Sequence, residues 1–253
     1  MQIKNVLKSL GVILGITMMI CSCSNTHVTD SSSHELNPDD FNTILEKSQV
    51  GTYNSYTYEY WNQEDIGDAV MGLRDDGSFA VEWNGIFNML ARNGVRPGQD
   101  VTSVTYKVED YEVTGGISYL CVYGWFYNGS NYDDLVEYYI VENWKNWNPA
   151  TNATPHGSIT VDGDTYYLYT SKRVNKPSIK GTATFTQYWS IRQSSDLRTS
   201  GTINVQAHFQ AWENAGLTIG ETMHEVSFCV EGYGGSNTGY GRADVTELSF
   251  NTR

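Results

Sequence analysis

From about residue 51 onward, apolar and polar residues alternate in short runs rich in Val, Thr and Tyr, the period-two signature of half-buried strands. Runs at 79–83, 104–108, 118–125, 135–141, 165–170, 182–191, 202–205 and 226–233 read as strands. Asp75-Asp76-Gly77-Ser78, Gly115-Gly116 and Asp162-Gly163-Asp164 supply turn chemistry between them. Evenly spaced strands of this kind predict an antiparallel sandwich or barrel. One segment departs from the pattern. Residues 207–215, AHFQAWENA, set His208, Ala211, Trp212 and Ala215 on one helical stripe ahead of Gly216, so a single short helix is expected there. On such a stripe His208 is a packing residue rather than a ligand.

Strand parity carries functional information. Val226, Phe228 and Val230 share one face, while Ser227, Cys229, Glu231 and Tyr233 share the other. Tyr119, Cys121, Tyr123 and Trp125 lie opposite Leu120 and Val122, and Glu137 lies on a face with Tyr139. On a curved sheet these polar-aromatic faces would form the floor of a groove. Flat rings that stack on pyranoses, with carboxylates between them, are the material of a carbohydrate site.

Composition sharpens this picture. The 253 residues include 18 Tyr and 7 Trp, amphipathic rings in excess of what a core needs. A formal charge of −13 argues against nucleic acid as a partner. With 18 % charged residues the chain is not mostly disordered, and its length suits one β domain.

The N-terminus has its own signal. Lys4 and Lys8 precede an apolar run at 10–20, about half the roughly 20 residues of a spanning helix, so a secretory signal is expected. Ile20-Cys21-Ser22-Cys23 resembles a bacterial lipobox, with Cys23 as the lipidated residue. The expected organisation is a lipoprotein signal at 1–22, a polar tether at 23–48 with room for a helical turn at 41–45, and a domain at 49–253. Cys121 and Cys229 are then the cysteines of the domain, expected to be free and shielded. The implied location is extracellular, with the membrane touched only through the lipid.

Zinc spacing is absent among the Cys and His residues, and the Gly-rich segment 232–241 contains no phosphate-loop Lys and reads as a turn. No metal or cofactor is called for. Two acids on strand faces beside Tyr stand out, Glu137 and Glu231, as either catalytic or simply solvated groups.

Three segments carry a family resemblance. LCVYGWFYNGSNYDDLVEYYIVENW at 120–144 resembles the YGW and nucleophile strands of family 11 endo-1,4-β-xylanases. RVNKPSIKGTATFTQYWSIRQ at 173–193 is similar to the family's thumb and following strand, and FCVEGYGGSNTGYGRADVTEL at 228–248 to its acid/base segment. The resemblance implies an all-β jelly roll of two packed, curved antiparallel sheets with one short α-helix, and a monomer acting on xylan. It makes Glu137 the nucleophile and Glu231 the acid/base of a retaining mechanism. Tyr123, Tyr139, Arg173, Gln187 and Tyr233 become cleft residues. Pro177, Ser178 and Ile179 become the thumb tip, Trp61 a sugar platform, and Asn88 the neighbour of the acid/base. A noncatalytic carbohydrate-binding sandwich would share the aromatic face without needing two opposed Glu. The segment 126–134 is longer than the usual hairpin, and Gln63-Glu64-Asp65 replaces a Gly-rich turn.

Overall fold

The computed structural model describes residues 36–235 and 239–253. In chain order its strands are β1 (Thr43–Leu45), β2 (Gln49–Tyr53), β3 (Tyr56–Asn62), β4 (Asp68–Leu73), β5 (Phe79–Ile86), β6 (Asn88–Val95), β7 (Val101–Thr114) and β8 (Ile117–Asn128). There follow β9 (Asp133–Lys145), β10 (Thr154–Val161), β11 (Asp164–Lys176), β12 (Ala183–Arg192), β13 (Ser200–Asn204), β14 (Thr222–Met223), β15 (Val226–Tyr233) and β16 (Gly239–Thr252). Helix α1 (Val205–Asn214) lies between β13 and β14.

The strands form two sheets. One is six-stranded in the order β1-β4-β5-β16-β7-β13; the other, ten-stranded, runs β10-β11-β12-β9-β8-β15-β6-β3-β2, with β14 paired to β8 beside that path. Between the sheets lies an apolar core, to which Met71, Phe79 and Trp83 contribute from one side and Tyr60, Phe126, Tyr138 and Phe228 from the other. A second cluster covers the opposite face of the larger sheet, with Cys121, Tyr123, Trp125, Tyr139, Trp189 and Cys229. Strand parity therefore separates core from cleft as the alternation predicts, and the architecture is the expected jelly roll. One expectation needs correcting: the sheets are not wholly antiparallel. β12 pairs with β9 in parallel, because the chain returns through the β10–β11 hairpin before entering β12 in the direction of β9.

The YGW motif has a steric cause. A Cβ at Gly124 would collide with the carbonyl oxygen of Glu225 and the hydroxyl of Tyr138, and that hydroxyl donates to the same carbonyl at 2.7 Å. Only glycine lets β8 approach this closely.

The helix begins two residues earlier than its stripe suggests, capped by Asn204, whose Oδ1 accepts from Ala207 N at 3.1 Å. Phe209 joins His208, Ala211 and Trp212 on its buried face. His208 shares a hydrogen bond with Ser190 Oγ at 2.8 Å; burial, and then the charge of Arg198, push its pKa down to about 3, so it is a neutral packing residue. Cys121 and Cys229 are free and buried, opposite one another on β8 and β15.

The tether expected at 23–48 ends too late. Residues 38–45 already belong to the fold, with a 3-10 turn at Pro38–Asp40 and a strand, not a helical turn, at Thr43–Leu45. β1 pairs with the edge strand β4, Leu45 is buried, and the Phe41 ring lies over Gly72 and 4.5 Å beneath the Arg74 guanidinium. Two apolar side chains and an open sheet edge are enough to recruit this polar stretch. The signal, Cys23 and the remainder of the tether lie outside the described residues.

The long 126–134 segment also behaves differently from a long loop. Pairing continues to Asn128 against Asp133, so the added residues lengthen β8 and β9 and leave only 129–132 as the turn.

Candidate active site

The cleft-facing side of the larger sheet forms a cavity of about 760 Å³, and every predicted site residue within the described chain lines it. Strand geometry explains how two distant acids meet there. In the ladder, Glu137 of β9 stands opposite Trp125 and Glu231 of β15 opposite Tyr119, at different ends of β8. On a flat sheet that offset is roughly 20 Å at about 3.3 Å per residue. Both nevertheless line the one cleft, where the charge of Glu137 raises the pKa of Glu231.

Glu137, 7 % exposed, is held by neutral donors. Tyr123 Oη donates to its Oε1 and Gln187 Nε2 to its Oε2, both at 2.7 Å. The second donor is itself fixed. Ser171 Oγ donates to Gln187 Oε1 at 3.0 Å, and Trp189 Nε1 donates to Ser171 Oγ at 2.9 Å. That chain sets the amide orientation, leaving its NH₂ aimed at the carboxylate. Burial raises the Glu137 pKa, while the hydrogen bonds from Tyr123 and Gln187 and the Arg173 charge favour the ionised form.

Glu231 has a different environment. Its Oε2 is buried without a hydrogen-bond partner. Burial, and then the charge of Glu137, push its pKa up to about 8, with Tyr139, Arg173 and Arg92 opposing the shift. Glu231 is therefore the acid that keeps its proton at neutral pH.

Around this pair, Tyr139 stacks on Trp189 at 4.1 Å and meets Tyr123 edge-on at 5.0 Å. Arg173 reaches the cleft from β11, and the tip residues Pro177, Ser178 and Ile179 overhang it; Ser178 Oγ closes the tip turn on Gly181 O at 2.5 Å. Trp61 enters from β3. Asn88 sits in register with Tyr233 and diagonal to Glu231, whose direct partner on β6 is Leu90. Tyr233 is 40 % exposed and meets Phe87 edge-on at 5.6 Å.

Another acid of β9, Glu142, is ruled out by its side of the sheet. A bulge opposite Leu120 and Cys121 turns it into the core, where Arg198, Tyr106 Oη (2.9 Å) and Tyr166 Oη (2.5 Å) occupy its oxygens.

Two features escaped the sequence reading. Trp147, 45 % exposed, lines the cleft from the loop after β9, beside Pro149. Arg92, 3 % exposed, lies beneath Tyr123 with its guanidinium 4.6 Å over the ring. Its Nη2 pairs with Glu59 Oε2 at 2.7 Å and Glu225 Oε1 at 3.1 Å, and Arg96 Nη2 completes the group on Glu225 Oε2 at 3.0 Å. Parity would have found Arg92, which shares the cleft face with Leu90, had β6 been recognised as a strand.

A jelly roll whose aromatic cleft holds two buried glutamates, one gripped by neutral donors and the other with its pKa pushed up to about 8, has the architecture of a glycoside hydrolase. The chain belongs to glycosyl hydrolases family 11, whose family model matches residues 53–245. It is 47 % identical over 212 residues to endo-1,4-beta-xylanase A of Thermoclostridium stercorarium, an alignment covering 81 % of this chain and 30 % of that protein. A second Thermoclostridium stercorarium xylanase of that name is covered to 39 %. The chain thus spans about a third of these two relatives. Endo-1,4-beta-xylanase A of Bacillus pumilus is 41 % identical over 201 residues, covering 77 % of this chain and 82 % of that one. Among solved structures, the family 11 xylanase from Neocallimastix patriciarum superposes with a TM-score of 0.72 at 35 % identity, covering 83 % of this chain and all of its own.

Proposed function

We propose that the chain cleaves β-1,4-xylosidic bonds within xylan with retention at the anomeric carbon. The observation that carries this reading is the division of labour between the two acids: Glu137 gripped by Tyr123 and Gln187, Glu231 beside it with its pKa at about 8. Family membership and relatives named as xylanases support the substrate.

In the first step a Glu137 oxygen attacks the anomeric carbon. The bond to the leaving oxygen breaks, and that oxygen takes the Glu231 proton. Esterification removes the charge that had held the Glu231 pKa up, so the ionised Glu231 is now stable and can take a proton from water. The resulting hydroxide oxygen attacks the same carbon and releases Glu137. Tyr123 and Gln187 steady the nucleophile before attack, and the rings of Trp61, Tyr139 and Tyr233 bind sugars along the cleft.

Replacing Glu137 by Gln or Glu231 by Gln should each reduce hydrolysis of xylan by about 10²–10⁴-fold. NMR of the first-formed product should show the β-anomer; an α-anomer formed first would sink the retaining assignment, and xylan binding without hydrolysis by the unaltered protein would favour a binding module. We further propose that Cys23 anchors a monomeric enzyme to the outer face of a bacterial membrane. Cys23→Ser should release it into the medium, and undiminished membrane retention would refute the anchor.

A further inference from the structure

Acidic residues outnumber basic ones 29 to 16, yet none lies between Asp164 and Asp196. That acid-free stretch contains the arm that overhangs the cleft, and the arm has Lys172, Arg173, Lys176 and Lys180, all exposed. None of the ion pairs among the described residues involves these four. Arg173 and Lys176 line the cleft beside the tip. Lys180 Nζ donates to Tyr132 O at 3.2 Å, a bond that ties the arm to the β8–β9 hairpin and leaves the ammonium charge uncompensated.

Of the ten other described Lys and Arg residues, seven are paired with carboxylates; Lys47, Lys145 and Arg253 take part in none of the ion pairs among the described residues and lie away from the cleft lining. Arg92, Arg96, Arg192 and Arg198 are paired with carboxylates, and so is the exposed Lys107. Arg173 has a use within the site, since its charge favours ionised Glu137 and Glu231. Lys176 is surplus to that task. The acids of the cleft, Glu59, Glu137 and Glu231, lie on β3, β9 and β15, so the positive charge is local to the arm. A neutral polysaccharide gains nothing from such a patch, whereas a patch of one sign attracts ligands of the opposite sign.

We infer that Lys176, flanked by Arg173 and with Lys180 on the same arm, forms a site for carboxylate side groups on the substrate, so that the cleft prefers uronate-substituted xylan over neutral xylan. The inference rests on the xylan reading and deepens it. The substituent lies at the arm, on the cleft rim, so its carboxylate meets the lysines while the backbone passes beneath them.

The test compares kcat/KM on glucuronoxylan with that on the same polymer after its uronate carboxyls have been reduced to primary alcohols, which keeps backbone and branching unchanged. In low salt the acidic polymer should be favoured about threefold, the scale of one exposed ion pair. At 1 M NaCl, where the screening length is about 3 Å, the ratio should approach one. Lys176→Gln combined with Lys180→Gln should bring it to one at low salt, and Lys176→Glu below one. Equal rates on both polymers for the unaltered enzyme, or a ratio that these variants leave in place, would overturn the inference. Failure to hydrolyse either polymer would instead overturn the xylan reading.

Discussion

Glu225, just ahead of β15, and Glu231, within it, are buried acids on one short stretch of chain, and the protein treats them in opposite ways. Burial opposes the charge of each. At Glu225 the nearby cations Arg92 and Arg96 overcome it and hold the carboxyl below the usual range, with Ser227 Oγ adding a hydrogen bond at 3.1 Å. At Glu231 the strongest charge effect comes from another carboxylate, Glu137, and outweighs that of either Arg173 or Arg92, while one oxygen has no hydrogen-bond partner. Residue type and burial do not distinguish an acid held ionised from one held protonated. The sign of the neighbouring charge does.

That contrast can be broken from either side. Glu231→Gln removes the proposed proton donor and should lower kcat by about 10²–10⁴-fold while the fold stays intact by circular dichroism. Glu225→Gln should do the reverse. It leaves two arginines without a buried partner and should destabilise the domain by about 3–5 kcal/mol in denaturant titrations, with kcat at a temperature well below Tm reduced far less. If Glu225→Gln proved as inactive as Glu231→Gln while equally folded, the division between the two acids would fail.

Arg92 joins the two environments, because it pairs with Glu225 and stacks beneath Tyr123, the donor to Glu137. It is a positioning residue. Arg92→Met combined with Glu225→Gln removes both charges together and so avoids an orphaned ion. The double variant should lose about tenfold in kcat with little change in KM. Loss of the cation removes a charge that favours ionised Glu231, so the alkaline limb of the pH–rate profile should move up. A profile that stays in place, with only Tm lowered, would confine Arg92 to stability.

Much of this site could be read from sequence, for a local reason. Glu137, Tyr139, Tyr123 and Glu231 sit on strands whose opposite faces are apolar, so alternation assigns each a side without knowledge of its neighbours. The signal fails where both faces are buried or the strand is short. β6 reads NMLARNGV with a buried charge at Arg92, and β1 is a three-residue edge strand whose place depends on β4, distant in sequence. The parallel match of β9 with β12 is likewise a property of sheet order, which no local period encodes. Trp147 lies on a loop, where parity has no meaning.

The smallest expected effect follows from the same contrast, seen as stability. A carboxyl whose pKa is raised in the folded state keeps its proton where the unfolded chain has already released one. Between about pH 4.5 and pH 8 the native state therefore binds more protons, and stability falls as pH rises through this window. Glu225, with its pKa lowered, acts the other way: its contribution is present above the unfolded value and is lost as pH falls through the folded one. Gln at position 231 cannot ionise, so Glu231→Gln should be more stable than the unaltered protein at pH 8, by about 2–4 °C in Tm for each kcal/mol recovered. The gain should shrink toward zero near pH 4, where Glu231 is protonated in both states. Calorimetric scans of both proteins across this range would reveal it, and a Tm difference that did not grow with pH would mean that Glu231 titrates normally and that its catalytic proton has another source.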